Sequence, residues 1–76
     1  MANLNRNILQ YISLREGTIN TAEIDRALGI ITPKERAYRR VILKRFCDKG
    51  ILEQVTVNIK GQAILVAGHY KIRMSF

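Results

Sequence analysis

The side chains best equipped for chemistry in this 76-residue chain lie together, between Pro33 and Lys49. Seven of them are basic (Lys34, Arg36, Arg39, Arg40, Lys44, Arg45 and Lys49) and two are acidic (Glu35 and Asp48), so the segment supplies +5 of the chain's +7. Clustered ammonium and guanidinium groups bind phosphates, and a guanidinium can also hold two acceptors on one base edge. A helix over this segment, turning about 100° per residue, gathers Ile42, Leu43 and Phe46 on one side, with Glu35 and Arg39 beside them. The opposite side carries Ala37, Arg40, Val41 and Lys44 at the spacing of one helix face, with Lys34, Arg36 and Asp48 next to them.

A B-DNA major groove is about 12 Å wide and admits one such helix. Arg40, at the centre of the outward side, is then expected to hold a guanine through two hydrogen bonds, and Ala37 or Val41 to touch a thymine methyl. Lys34, Arg36, Lys44 and Arg45 are placed for phosphates, which supply affinity without sequence information. The alternative is that Ala37 and Val41 belong to the core and the arginines only solvate the far face. Tyr38, at the edge between the two sides, is expected to pack.

Elsewhere the reactive residue types are isolated. The chain has one cysteine, Cys47, and one histidine, His69, so no internal disulfide, zinc cluster, His–Cys pair or Ser–His–Asp set can be assembled. Cys47, beside Phe46, is expected to be a buried free thiol, and His69 a loop or packing residue. Glu23, Asp25, Glu35 and Glu53 are scattered and read as capping and surface charge rather than as a catalytic pair. The chain contains no P-loop or GxGxxG. Tyr11, Tyr38 and Tyr70 do not form the aromatic strand motif of an RNA-recognition sheet. No enzymatic activity, cofactor or small-molecule ligand is expected.

The whole chain agrees with that emphasis. Thirteen Lys and Arg against six Asp and Glu give +7, and the isoelectric point is near 10.2, a balance that favours a polyanionic partner. A content of 47% hydrophobic residues with a single proline argues for a folded chain, and 76 residues allow one domain, 1–76. The start, Met1 to Asn7, is polar and the longest apolar run, Ala63 to Ala67, is five residues. That pattern predicts neither a signal peptide nor a membrane span, and the lone cysteine suits a reducing, cytoplasmic and nucleoid-associated setting.

The elements that must position the basic segment follow from periodicity. Leu4, Ile8, Tyr11 and Ile12, with Leu9 to one side, predict a helix over about 4–15, opened by Asn3 and stopped near Gly17. Thr18-Ile19-Asn20 is a connection or a three-residue strand. A second helix, 21–28, starts at Asn20 with Glu23 three residues on and carries the stripe Ala22, Ile24, Ala27 and Leu28 up to Gly29. The third, 33–49, has Thr32 as cap, Pro33 in its first position and Glu35 to complete the cap, with Gly50 as stop. From about 51 to 76 the period becomes two: Val55, Val57 and Ile59 alternate with polar residues, Lys60-Gly61 is a turn, and Tyr70, Ile72, Met74 and Phe76 alternate again. Residues 62–67 and 70–76 are either two strands parted at Gly68-His69 or one long bent strand.

Helix, short link, helix, a tight Gly29-Ile30-Ile31 turn, helix and β-hairpin is an α+β order that resembles a winged helix-turn-helix domain. The residues that carry the resemblance are Ala27-Leu28-Gly29-Ile30 at the turn, Thr32 to Lys49, and Gly50-Ile51-Leu52-Glu53 leading into the wing. Gly68-His69-Tyr70-Lys71-Ile72 looks like the returning strand. The segment between Glu53 and Tyr70 is longer and more apolar than the usual basic wing loop.

The resemblance implies a small transcriptional regulator that binds double-stranded DNA with helix 33–49. The second helix braces the third and offers its amino end, near Thr21 and Ala22, to a phosphate. Lys71 and Arg73 add charge from the last strand. The apolar face of Tyr70, Ile72, Met74 and Phe76 and the Ile64-Leu65-Val66 run are the candidates for a homodimer interface through the C-terminal strands, or for burial against the first helix. Two other classes compete: a winged-helix protein-interaction module within a larger nucleoprotein assembly, and a basic amphipathic helix for RNA or a membrane surface. The caps and the inward Ile42, Leu43 and Phe46 argue against the second of these.

Overall fold

Each helix starts where a side chain can accept from its free backbone amides. In the computed structural model, which describes residues 3–73, α1 (Leu4–Ser13) opens on Asn3, whose Oδ1 accepts from the Arg6 amide at 3.1 Å. α2 (Thr21–Leu28) opens on Asn20, which accepts from the Glu23 amide at 2.9 Å. α3 (Pro33–Asp48) opens on Thr32, whose hydroxyl accepts from the Glu35 amide at 3.1 Å and donates to the Glu35 carboxylate at 2.8 Å.

The helix ends are equally local. α1 stops at Ser13, short of the expected Arg15, because the Leu14 amide folds back to the Tyr11 carbonyl and closes the last turn. After α2 the chain turns through Gly29, and the Ile30 amide donates to the Asp25 carbonyl at 2.9 Å. The same long closure ends α3, where the Ile51 amide reaches the Phe46 carbonyl at 2.9 Å.

Three strands form one antiparallel sheet in the order β1-β3-β2: β1 (Thr18–Asn20), β2 (Leu52–Ile59) and β3 (Gln62–Ile72). The three residues after Gly17 are thus a strand, with Ile19 opposite Tyr70. Of the two arrangements left open for residues 62–76, the described part is the single strand, with a bulge around Gly68-His69. Gln54 pairs with Tyr70 but Thr56 pairs with Leu65, so Val55 faces four residues of β3. Gly68 makes this possible: its φ is +74°, and a Cβ there would stand 3.0 Å from Thr21 Oγ1. At the hairpin tip, Ile59 pairs with Gln62 while Lys60 and Gly61 both have positive φ, the geometry of a two-residue type I′ turn.

Among the described residues twelve buried apolar side chains make one cluster. α1 gives it Leu4, Ile8, Tyr11 and Ile12, α3 gives Ile42, Leu43 and Phe46, and the sheet gives Ile19, Leu52 and Tyr70. α2 contributes less than its expected stripe. Ile24 is buried and Leu28 half-buried, but Ala22 and Ala27 face solvent, because two helical turns present one inward row to their neighbours. The turn divides its two isoleucines: Ile30 enters the core and Ile31 stays outside. Tyr70 and Ile72 pack on the cluster, so the body itself covers that part of the expected dimer face; Met74 and Phe76 lie outside the described residues. Within residues 3–73 no helix is long and apolar enough to cross a membrane.

Candidate nucleic-acid interface

The inward row of α3 sets what its outward row can do. Ile42 and Leu43 have no exposed surface and Phe46 has almost none. Arg39, one turn before Leu43, is also buried, and its Nε and Nη2 donate to the two oxygens of the Asp25 carboxylate at 2.7 and 3.0 Å. Such a fork-to-carboxylate pair fixes both distance and plane, and it fixes α2 to α3 across the Gly29–Ile31 turn. Asp25 is therefore neither a cap nor a surface charge, as its scattered position had indicated. Arg36, on the same flank, shares this carboxylate more loosely, its Nε 3.8 Å away.

With that side buried, the opposite side of α3 is free. Lys34, Arg36, Ala37, Arg40, Val41, Lys44 and Arg45 are all exposed. Val41 is 48% exposed and Tyr38 53%, which rules out a core role for Val41 and corrects the expectation that Tyr38 packs. Tyr38 stands outside because Ile42 one turn on already fills the inward position. Leu4, Ala37, Tyr38 and Val41 line an open groove between the start of α1 and α3, with Lys34 and Glu35 at its side. Ala37 lies nearer the middle of this face than Arg40. Arg40 lies to one side of that middle, and its charge opposes the rise of the Tyr70 hydroxyl's pKa.

The remaining basic residues divide by their partners. Lys44 lies 3.8 Å from Asp48 one turn on, both well exposed, a contact worth little and easily traded for a phosphate. Among the described residues no carboxylate lies within ion-pairing distance of Lys34, Arg40, Arg45 or Lys71. Arg73 pairs with Glu53 at 3.2 Å. Alternation along the strand turns Lys71 and Arg73 away from Tyr70 and Ile72, hence away from the core on which α3 packs. Charge alone grouped them with the helix; the pleat gives them the outer face of the sheet. The amino end of α2 is already served by Asn20 and carries Glu23 in its first turn, which disfavours a phosphate there.

Cys47 is half-buried rather than enclosed. Burial, and then the Asp48 carboxylate, push its thiol above the ordinary 9.0. Burial first, then Cys47, raises the Tyr70 hydroxyl above 10.0, against the pull of Arg39 and Arg40. Both groups bind their protons more tightly folded than unfolded. Stability is therefore intact below the unfolded values and lost as pH rises through the folded ones. Thermal unfolding should show a lower midpoint at about pH 11 than at about pH 8, and Cys47→Ala combined with Tyr70→Phe should reduce that difference; an unchanged difference would assign it to other groups.

His69 is exposed on β3, its Nδ1 3.0 Å from the Ala67 carbonyl oxygen within the bulge. No group of three His, Cys, Asp or Glu residues that could hold a metal ion occurs among the described residues. The chain matches no family model, no curated protein and no solved structure.

Proposed function

We propose that this protein is a winged-helix, sequence-specific double-stranded DNA-binding protein, a small transcriptional regulator that lays α3 in the major groove. The observation that carries the reading is the division of α3 into a fully buried row and an exposed row. The exposed row combines small apolar groups, Ala37 and Val41, with the cations Lys34, Arg40 and Arg45, which have no ion-pair partner among the described residues. Apolar groups flanked by cations suit a groove floor of base edges between two phosphate walls. On this reading α2, the turn and α3 are the helix-turn-helix, held by Asp25 and Arg39, and β2 and β3 are the wing. The protein works without a cofactor or catalysis, in the cytoplasm on nucleoid DNA.

A pair of variants tests the reading. Arg40→Ala should weaken binding to the preferred duplex by about 1–3 kcal/mol and relax selectivity at one base pair. Lys44→Ala should weaken binding to all duplexes alike and flatten the salt dependence by about one unit of slope. If both variants act uniformly across sequences, Arg40 is a phosphate contact and the groove-facing register is rotated. If neither changes binding, α3 is not the interface.

One observation favours a protein-interaction module instead. The groove formed by Leu4, Ala37, Tyr38 and Val41 can take an apolar side chain as readily as a thymine methyl. Val41→Lys separates the two: it should abolish docking of an apolar partner while leaving general affinity for DNA intact or raised.

A further inference from the structure

One flank of α3 carries a row of donors that a count of charges does not pick out. At about 100° per residue, Lys34, Tyr38, Val41 and Arg45 fall within about 60° of one another, on the edge of the exposed face away from Arg36 and Arg40. From Lys34 to Arg45 the row runs about 16 Å along the helix. Lys34, Tyr38 and Val41 line the open groove whose other side is the start of α1, where Leu4 is buried. Tyr38 is half exposed, and among the described residues its hydroxyl has no hydrogen-bond partner. Lys34 and Arg45 have no ion-pair partner there either. The acid beside the groove, Glu35, is turned to its own helix start, where its carboxylate accepts from the Thr32 hydroxyl at 2.8 Å. The row therefore presents donors and positive charge with no anion of its own.

We propose that the Tyr38 hydroxyl donates to a phosphate of the DNA strand bordering this flank, between phosphates held by Lys34 and Arg45. The inference rests on the reading of α3 as a major-groove helix. A helix about 10 Å across in a groove about 12 Å wide has a sugar-phosphate strand close on either side. The cations state the charge of the occupant on this side, and their separation, with a neutral donor between them, calls for an anion that repeats. A DNA strand carries one phosphate per nucleotide and can meet all three donors. An apolar segment in the groove would bury the phenol hydroxyl unpaired and leave both cations unanswered. Val41 is the member of the row nearest Ala37, so it turns toward the base edges while Tyr38 stays at the wall.

Tyr38→Phe removes the hydroxyl and keeps the ring, so it should leave the urea midpoint of the full chain unchanged. It should weaken binding to the preferred duplex and to its single-base-pair variants alike, by about tenfold for a lost hydrogen bond to a charged acceptor. Because no charge is removed, the salt slope should stay the same, whereas Lys34→Ala should flatten it by about one unit. Single uncharged methylphosphonate linkages, placed in turn along each strand of the preferred duplex, then locate the contact. At one position on one strand the difference between wild type and Tyr38→Phe should largely vanish, and elsewhere it should persist. Three results overturn the inference while the preferred duplex is still bound: Tyr38→Phe binding as wild type does, a loss confined to one base pair, or a difference that persists at every substituted phosphate. The first of these leaves the groove to an apolar partner. A wild-type chain that binds no duplex overturns the reading of α3 together with it.

Discussion

Phe46→Ala should lower the free energy of unfolding by about 3–5 kcal/mol, the largest single effect expected in this chain. Phe46 is 4% exposed and belongs, with Ile42 and Leu43 of α3, to the one core that also holds Tyr11 and Ile12 of α1 and Leu52 of the sheet. Removing the ring leaves a cavity that those neighbours cannot close, because the Phe46 carbonyl still holds the Ile51 amide and anchors the path into β2. A domain of this length has roughly 4–11 kcal/mol to lose at typical stability per residue. The variant should therefore unfold at a much lower urea concentration and be partly unfolded near body temperature. An unchanged urea midpoint would mean that Phe46 points outward, and the faces of α3 would have to be exchanged.

Asp25→Ala should be nearly as damaging, for a different reason. The Arg39 side chain is 9% exposed and the Asp25 side chain 16%, so truncating one partner leaves a charge that water reaches poorly. Breaking such a pair costs about 3–5 kcal/mol, whereas replacing both members with apolar residues of similar volume is often neutral. The single variants Asp25→Ala and Arg39→Met should each lower the urea midpoint, and Asp25→Leu with Arg39→Met should recover most of the loss. Simple addition of the two losses would show that the pair is not coupled. Because the contact sets the angle between α2 and α3, Asp25→Ala should also reduce discrimination between duplexes at temperatures where it remains folded.

The elements built from neighbouring residues were legible in the sequence. Thr32, Pro33 and Glu35 mark the start of α3 within four residues, and the period of Ile42, Leu43 and Phe46 identifies its buried side without reference to the rest of the chain. The same wheel put Arg39 among the inward residues, but nothing local names its partner: Asp25 is fourteen positions away, across a turn. Long-range partners account for the other differences. Thr18–Asn20 is too short to have a period and becomes a strand only by pairing with His69 to Lys71. Gly68 left one strand or two open because glycine interrupts strands; its positive φ, with Thr21 close beside it, serves a bulge that keeps β3 continuous. Tyr70 and Ile72 displayed an apolar face whose cover, the protein's own core, lies in other elements. Lys71 and Arg73 contribute to the charge excess but not to the surface of α3, a distinction carried by the pleat rather than by composition.

The central claim is that the exposed face of α3 reads duplex DNA. Selection of random duplexes by the full-length protein, followed by titration of the selected duplex at several salt concentrations, tests it most directly. A short motif should be enriched, the selected duplex should bind at least ~10³-fold more tightly than scrambled DNA, and the logarithmic salt slope should be about −3.6 to −4.5, from four or five neutralised phosphates. No enrichment, together with binding that is absent at low salt or equal for all duplexes, would contradict it.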